Sequence, residues 1–400
     1  MTEMAFASLL AAGAQDSPEH TYTYLFCDLM TDTVLAELPL SGVTYSTALN
    51  GIGTLTATIP YTDETIPLDP ETATTPGRTA VYVDRDGVIV WGGIVWTRQP
   101  DGQSSKQIQA AEFLSYYQHR HVKVTLSTDT SLLTNPALVP DGQQLYADQK
   151  YIMWSLLTYA NVQAGGNPKI NVDTLTAPPH GVTRQATYFG FERPEIYKAI
   201  SELAAADNGF DFGIDVGWTA TTNNNPPTRY RRARTWYPRR GRAVDESGLV
   251  FVKGGQGSSI LSYDWPEDGT AAATEVSALG AGTGEAKVSA VVQDADRLAS
   301  GWPLLESVST YEGVIDQAQI TGLANAELTA RGQAQLQPTF EVSADADPAF
   351  GSYSVGDEAL FIIDPEPLCP AGRQGALRIV GIENTAAAGP ERVRLTCVAV

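Results

Sequence analysis

The sequence predicts a mainly β fold of α+β class: two tandem small antiparallel β-barrels, each with a helical insertion. Three observations predict it. Residues 78–98, RTAVYVDRDGVIVWGGIVWTR, read as a strand, a tight Asp-Gly hairpin and a long second strand. The 400 residues include 36 Gly and 24 Pro beside abundant Thr, the composition of a turn-rich β protein. Both halves of the chain follow one plan: strands, a more helical stretch, then strands again.

Within 78–98, Val81 and Val83 lie in the first run and Gly87 closes the turn. Val88 opens the second run, which carries Trp91 and Trp96. Gly92-Gly93 interrupt it, and paired glycines inside a strand mark a bulge or sharp bend of the kind a barrel corner needs. Nothing in this stretch is chemically reactive; it is scaffold.

Residues 1–20 form a small-residue leader. Its apolar run Ala5–Ala14 is short and follows Glu3 where a signal peptide needs positive charge, which argues against cleavage. Residues 21–125 are the expected first barrel, with strand candidates at Tyr22–Leu29, Thr33–Leu40 and Thr44–Leu49. Leu55, Ala57 and Ile59 then alternate with Thr54, Thr56 and Thr58 until Pro60 ends the run. After the hairpin, Lys106–Ala111 returns as a strand, and Glu112–His121 leaves the strand pattern for a short helix or turn.

Residues 126–209 are the expected helical or mixed insertion. Ala147–Val162 has an apolar stripe, with Asp148 at its start, where a negative charge suits the helix dipole. A second helix is expected over Pro194–Ala206, stopping at Asn208-Gly209. Residues 210–245 hold return strands, Phe210–Val216 and an arginine-rich hairpin, separated by a loop at Asn223–Pro227. Residues 246–400 are the expected second barrel. Its strands fall at 248–251, 260–263, 274–279, 286–292, 339–342, 353–363, 376–382 and 392–400, interrupted by a helix over 316–336. Gly356 and Asp357 make a tight turn that feeds a buried strand.

Composition narrows the function. Hydrophobic residues make up 43 % and charged residues 18 %, the balance of a folded chain. A net charge of −20 argues against tight wrapping of nucleic acid, while leaving room for a surface past which DNA slides. Cys27, Cys369 and Cys397 are far apart with no CxxC spacing, so neither a zinc module nor a disulfide framework is expected; a single disulfide stays open. No run approaches the roughly 18 apolar residues of a membrane span.

Catalytic chemistry has little to stand on. His119 and His121 behind Glu112 are two candidate metal ligands where three or four must converge. There is no GxSxG elbow, and 46 acidic residues leave any chosen carboxylate pair arbitrary. KGGQGSS at 253–259 lacks the Gly-Lys-Ser/Thr ending of a phosphate loop, and GAGTG at 280–284 lacks a following helix. Both read as turns. No enzyme, metal or cofactor is expected.

The sharpest anomaly is Arg229, Arg231, Arg232, Arg234, Arg239, Arg240 and Arg242, seven arginines in fourteen residues, interleaved with Tyr230, Trp236 and Tyr237. Three readings stay open. They bind an acidic surface of a neighbouring subunit, they line the solvated face of a hairpin turning at 238–241, or they touch DNA directly.

The order of motifs resembles the tail hub, or minor tail, proteins of siphophages. The resemblance runs from Asn50-Gly51 and the strand to Pro60 through VYVDRDGVIVWGGIVW and EFLSYY. It continues through FDFGIDV at 210–216, YPRRGR at 237–242, SYDW at 262–265, SVGDEALFII and RIVGIENT, and so covers almost the whole chain. It implies a homotrimer at the distal tail end, in the virion's tail tip after assembly in the host cytoplasm. Two barrels per subunit would give a pseudo-sixfold ring docked on a tail ring or tube protein. The ring would join a tip or fibre protein and close the channel until infection, with phage DNA passing through without specific binding. Many such proteins continue into a fibre or hydrolase, whereas this sequence ends on a strand at Val400, implying a short hub. Alternatives from other classes are a tail-associated envelope hydrolase and a carbohydrate-binding tip protein; the latter needs several tryptophans along an exposed groove.

Overall fold

The computed structural model describes residues 20–102, 104–132, 145–172, 178–220, 227–255, 257–266, 269–311, 313–332, 337–386 and 390–400. The expected leader, apart from His20, lies outside them, as do most of the 223–227 loop and the end of the helix expected to reach 336. Seven strands come first: β1 (Tyr22–Asp28), β2 (Val34–Glu37), β3 (Ser41–Ala48), β4 (Thr54–Pro60), β5 (Thr79–Arg85), β6 (Val88–Pro100) and β7 (Ser105–Glu112). The middle of the chain holds the 3-10 turn Phe113–His119, β8 (Leu126–Ser127), the helix Gln149–Val162, β9 (Ile170–Val172) and β10 (Thr187–Tyr188). The helix Ile196–Ala205, β11 (Asp211–Trp218) and β12 (Arg229–Trp236) follow. The last part holds β13 (Val250–Lys253), β14 (Ile260–Asp264), β15 (Glu275–Leu279), β16 (Ser289–Gln293) and β17 (Glu306–Thr310). It ends with the helix Gln317–Arg331, β18 (Thr339–Ser343), β19 (Glu358–Ile363), β20 (Arg373–Ala386) and β21 (Arg392–Ala399).

The mainly β expectation holds. One 13-stranded sheet runs β14–β18–β21–β20–β3–β4–β7–β6–β5–β1–β2, with β19 also on β20 and β13 on β19. Its order is open at both ends among the described residues, so the ladder itself draws no closed barrel. The two halves meet where β20 hands over from β19 to β3: Arg373 to Arg378 face β19, and Gly381 to Ala386 face β3. A bulge between Ile379 and Gly381 separates the two pairings and lets one long strand serve both.

Burial explains the apolar runs. Val81, Val83 and Trp91 pack into a core with Phe26, Leu55 and Ile108, while Ala80, Tyr82 and Ile94 on the opposite face join a core shared with the middle segment. With both faces covered, β5 reads as a continuous run rather than an alternation. A third core joins Phe251, Phe340, Phe361 and Leu395, and a small fourth one lies between the sheet β16–β15–β17 and the helix Gln317–Arg331. Asp148 and Asp316 cap their helices, accepting from the Lys150 and Gln319 N–H groups at 3.0 and 2.8 Å.

The hairpin forms as expected, with Asp86 (φ 55) and Gly87 (φ 83) as its two turn residues. Gly92-Gly93 behave differently from the expected bend. β6 stays paired with β5 through them, and the register shifts flank the pair, between Ile89 and Trp91 against β5 and between Val95 and Thr97 against β7. A Cβ on Gly93 would lie 2.2 Å from the Ala111 carbonyl oxygen, and one on Gly92 would lie 2.9 Å from the Tyr82 ring. The pair is there for close approach. Val88 is 61 % exposed and takes no part in a core, whereas Trp96 donates to Ser115 Oγ at 2.8 Å on the face opposite Trp91.

Candidate assembly interface

The arginine cluster does not turn as a hairpin at 238–241. Its first half is β12, paired antiparallel with β11 across a 219–228 connection and parallel with β9. Alternation then divides it into two faces. Arg229 and Arg231 point inward. Tyr230, Arg232, Arg234 and Trp236 point outward.

Arg231 is 1 % exposed. Its Nε donates to Tyr82 Oη (2.6 Å) and its Nη1 to the carbonyls of Leu29 (2.8 Å) and Pro168. Its Nη2 donates to Asp32 Oδ1 at 2.8 Å, and its guanidinium lies 4.3 Å over the Phe113 ring. Arg229 joins the same carboxylate, with Nε on Asp32 Oδ2 at 3.1 Å and Nη2 on the Asp32 carbonyl at 2.6 Å. A buried guanidinium is tolerable only when its donors are satisfied and its charge is matched. Asp32, in the turn after β1, supplies the charge to both. Arg231 is therefore a fastener inside the chain, and the interface expected of it has no exposed group to act through.

The second half of the cluster is a loop pinned to β19. Gly241 (φ +94) and Gly356 (φ +99) lie backbone to backbone; a Cβ on Gly241 would come 2.1 Å from the Gly356 carbonyl. Beside them, Arg242 grips Asp357, Nη2 to Oδ2 at 2.7 Å and Nε to Oδ1 at 3.2 Å, and Arg239 reaches Glu358 at 2.6 Å. Burial pushes the Asp357 carboxyl up. The Arg242 side chain and the backbone N–H groups of Arg242 and Ser354 outweigh it and hold Asp357 below the usual carboxylate range. Asp211 accepts from the Arg240 N–H (2.6 Å), from Asn50 Nδ2 (2.7 Å) and from Arg378, drawing β3's end, β11 and β20 to one point.

What remains for a partner is the outer face. Arg234 and Arg240 share Asp215 at 3.1 and 3.5 Å, and Arg240 lies 4.4 Å over Trp236. Arg232 sits opposite Asp215 in the register, yet it lies over Tyr230 and, among the described residues, has no ion-pair partner. It is exposed, and the side chains of Arg239 and Arg242 are each 44 % exposed beyond their bonds. Sequence reasoning found the arginines but missed Asp32, Asp215 and Glu358, whose pairing is non-local. The histidines expected as poor metal ligands stand apart: His119 lies against Trp96 at 4.5 Å and His121 is exposed beside Glu195. No helix among the described residues is long and apolar enough to cross a membrane.

No family model matches this sequence, and no curated protein matches it. Solved structures do match in fold. A tail protein from Neisseria meningitidis aligns at TM-score 0.55 and 10 % identity, over 96 % of this chain and 97 % of that one. The chain has a tail-protein fold. A second tail protein, the 43 kDa one of prophage MuSo2 from Shewanella oneidensis, aligns at TM-score 0.52 and 12 % identity over 94 % and 98 % of the two chains. The tail-protein fold is thus shared from end to end in both, while the sequences have diverged almost completely.

Proposed function

We propose that this protein is a structural subunit of a phage tail, the hub at its distal end. It assembles with copies of itself, as a trimer, into a ring between the tail tube or last tail ring and the tip or fibre. The observation that carries this reading is the end-to-end match in fold to two tail proteins of nearly equal length, one of them from a prophage. The protein is a virion component at the tail tip, not an enzyme, and it uses no cofactor. Its channel is closed until infection, and phage DNA then passes without sequence-specific contact; the chain's charge of −20 suits a wall that DNA does not stick to.

The expected domain plan fits this role, with a first barrel over 21–125, an insertion over 126–209, return strands over 210–245 and a second barrel over 246–400. Two separate cores support two curled halves. In the second, β13 and β14, distant in the sheet order, touch where the Ser259 N–H donates to the Val252 carbonyl at 2.9 Å. The subunit interface uses the outer arginine face, where Arg232 meets an acidic neighbour. Alanine at Arg239, Arg240 and Arg242 together would be a poor test, since all three hold the subunit's own carboxylates or backbone.

The test is genetic. Deleting the coding sequence from the phage or prophage that carries it should leave particles without a finished tail, visible in the electron microscope and restored by the gene in trans. Normal, infectious tails in its absence would overturn the reading.

A further inference from the structure

His20 stands just before β1 and touches an acid with each ring nitrogen. Nδ1 lies 2.7 Å from Asp86 Oδ2, in the β5–β6 turn, and Nε2 lies 2.9 Å from Asp345 Oδ1, just past β18. An ionised carboxylate only accepts, and a neutral imidazole has one N–H to give. The imidazolium alone satisfies both contacts with both carboxylates charged. The two acids belong to opposite halves of the sheet, 325 positions separating His20 from Asp345.

We propose that His20 is a proton-operated clasp between the halves: charged, it holds the β5–β6 turn and the segment after β18 together, and neutral, it releases one of them. Every charged neighbour bears on this. Arg85 opposes the imidazolium and lies 3.9 Å from Asp86, but it is drawn to Glu391, with Nη2 on Oε2 at 2.7 Å. Glu391 in turn accepts from Tyr22 and from Asn384 Nδ2. Burial pushes its carboxyl up to about 7 against the pull of His20, so it titrates in the same range, and the clasp is read as the difference between wild type and His20→Gln. Burial works against the charged ring, but Asp345 and Asp86 overcome it and raise His20 above its ordinary 6.5. The clasp therefore contributes in full below that value and is lost as pH rises through the raised one. The Thr21 N–H, donated to Asp86 Oδ1 at 2.9 Å, keeps the turn side attached, so Asp345 is the contact that lets go.

The test follows the ring itself in the full chain, labelled at its four histidines. Nitrogen shifts of His20, assigned with His20→Gln, should report a midpoint above 6.5, with both ring nitrogens protonated below it. Asp345→Asn should bring the midpoint down, and the difference in melting temperature between wild type and His20→Gln should shrink as pH rises through it. A midpoint at or below 6.5, or a difference independent of pH, would overturn the proposal. Asp345→Asn provides the same stability comparison if His20→Gln does not fold.

Discussion

Arg231 and Asp32, 199 positions apart, meet at 2.8 Å in the interior, and Tyr82 and two backbone carbonyls take three more of the arginine's N–H groups. The most basic stretch of an acidic chain is thus, in part, internal. Removing one member of such a buried pair costs about 3–5 kcal/mol, because the partner charge stays desolvated. Arg229 still holds Asp32, which places Arg231→Ala near the lower figure. Arg232→Ala, one residue away and on the solvent side, should stay within about 0.5 kcal/mol. Urea unfolding of the two variants checks this; equal losses would contradict the division of β12 into two faces.

Gly241 and Gly356 yield a second contrast. Alanine at Gly241 combines a φ of +94 with a Cβ 2.1 Å from the Gly356 backbone, where nothing flexible can move aside. The expected loss is about 3 kcal/mol or more. Gly87→Ala meets nothing within 4 Å and bears only the left-handed backbone cost, about 1 kcal/mol. Comparable unfolding midpoints for the two would show that the 237–243 loop is not packed on the 354–358 turn as described.

These contrasts also show what was legible in the sequence. The Asp-Gly hairpin, the Leu55–Ile59 alternation and the helices capped by Asp148 and Asp316 are local signals, and each begins within a few residues of where it was expected. Gly92-Gly93 misled because a glycine pair has the same letters whether the strand bends or a ring and a carbonyl press close. β17 was missed because ESVST has a weak apolar content and a parallel partner thirty residues away. The arginines were visible, but whether they face in or out depended on the pairing of β12 and on Asp32 in a turn far upstream. The expected interface at all seven positions thereby contracts to the exposed ones, led by Arg232.

Glu112 supplies a pH prediction. Burial pushes its carboxyl up to about 7, against the pull of the Gly53 N–H, the Thr47 side chain and Arg240. An acid whose folded value is raised binds more protons in the folded state, so stability falls as pH rises from its ordinary 4.5 towards about 7. Glu112→Gln keeps the acceptor for Gly53 and removes the titration. The fall over that window should flatten in the variant; an unchanged slope would assign the effect elsewhere.

Assembly is the remaining question, and Arg232 makes it answerable without touching the fold. Its guanidinium is exposed over Tyr230 and lacks an ion-pair partner among the described residues, so truncating it breaks no ion pair inside the subunit, whereas a carboxylate there would face Asp215 across the ladder. A neighbour presenting carboxylates would lose an attractive contact and gain a repulsive one, which is costlier than truncation. Light scattering over a concentration series should give a trimer for the wild type and a shift towards monomer for Arg232→Ala at an unchanged unfolding midpoint. Arg232→Glu should shift further, and its midpoint also falls because its carboxylate faces Asp215. A trimer equally stable in the charge-reversal variant would move the interface off this face. A wild type that stays monomeric at every concentration would mean that the ring does not form from this chain alone.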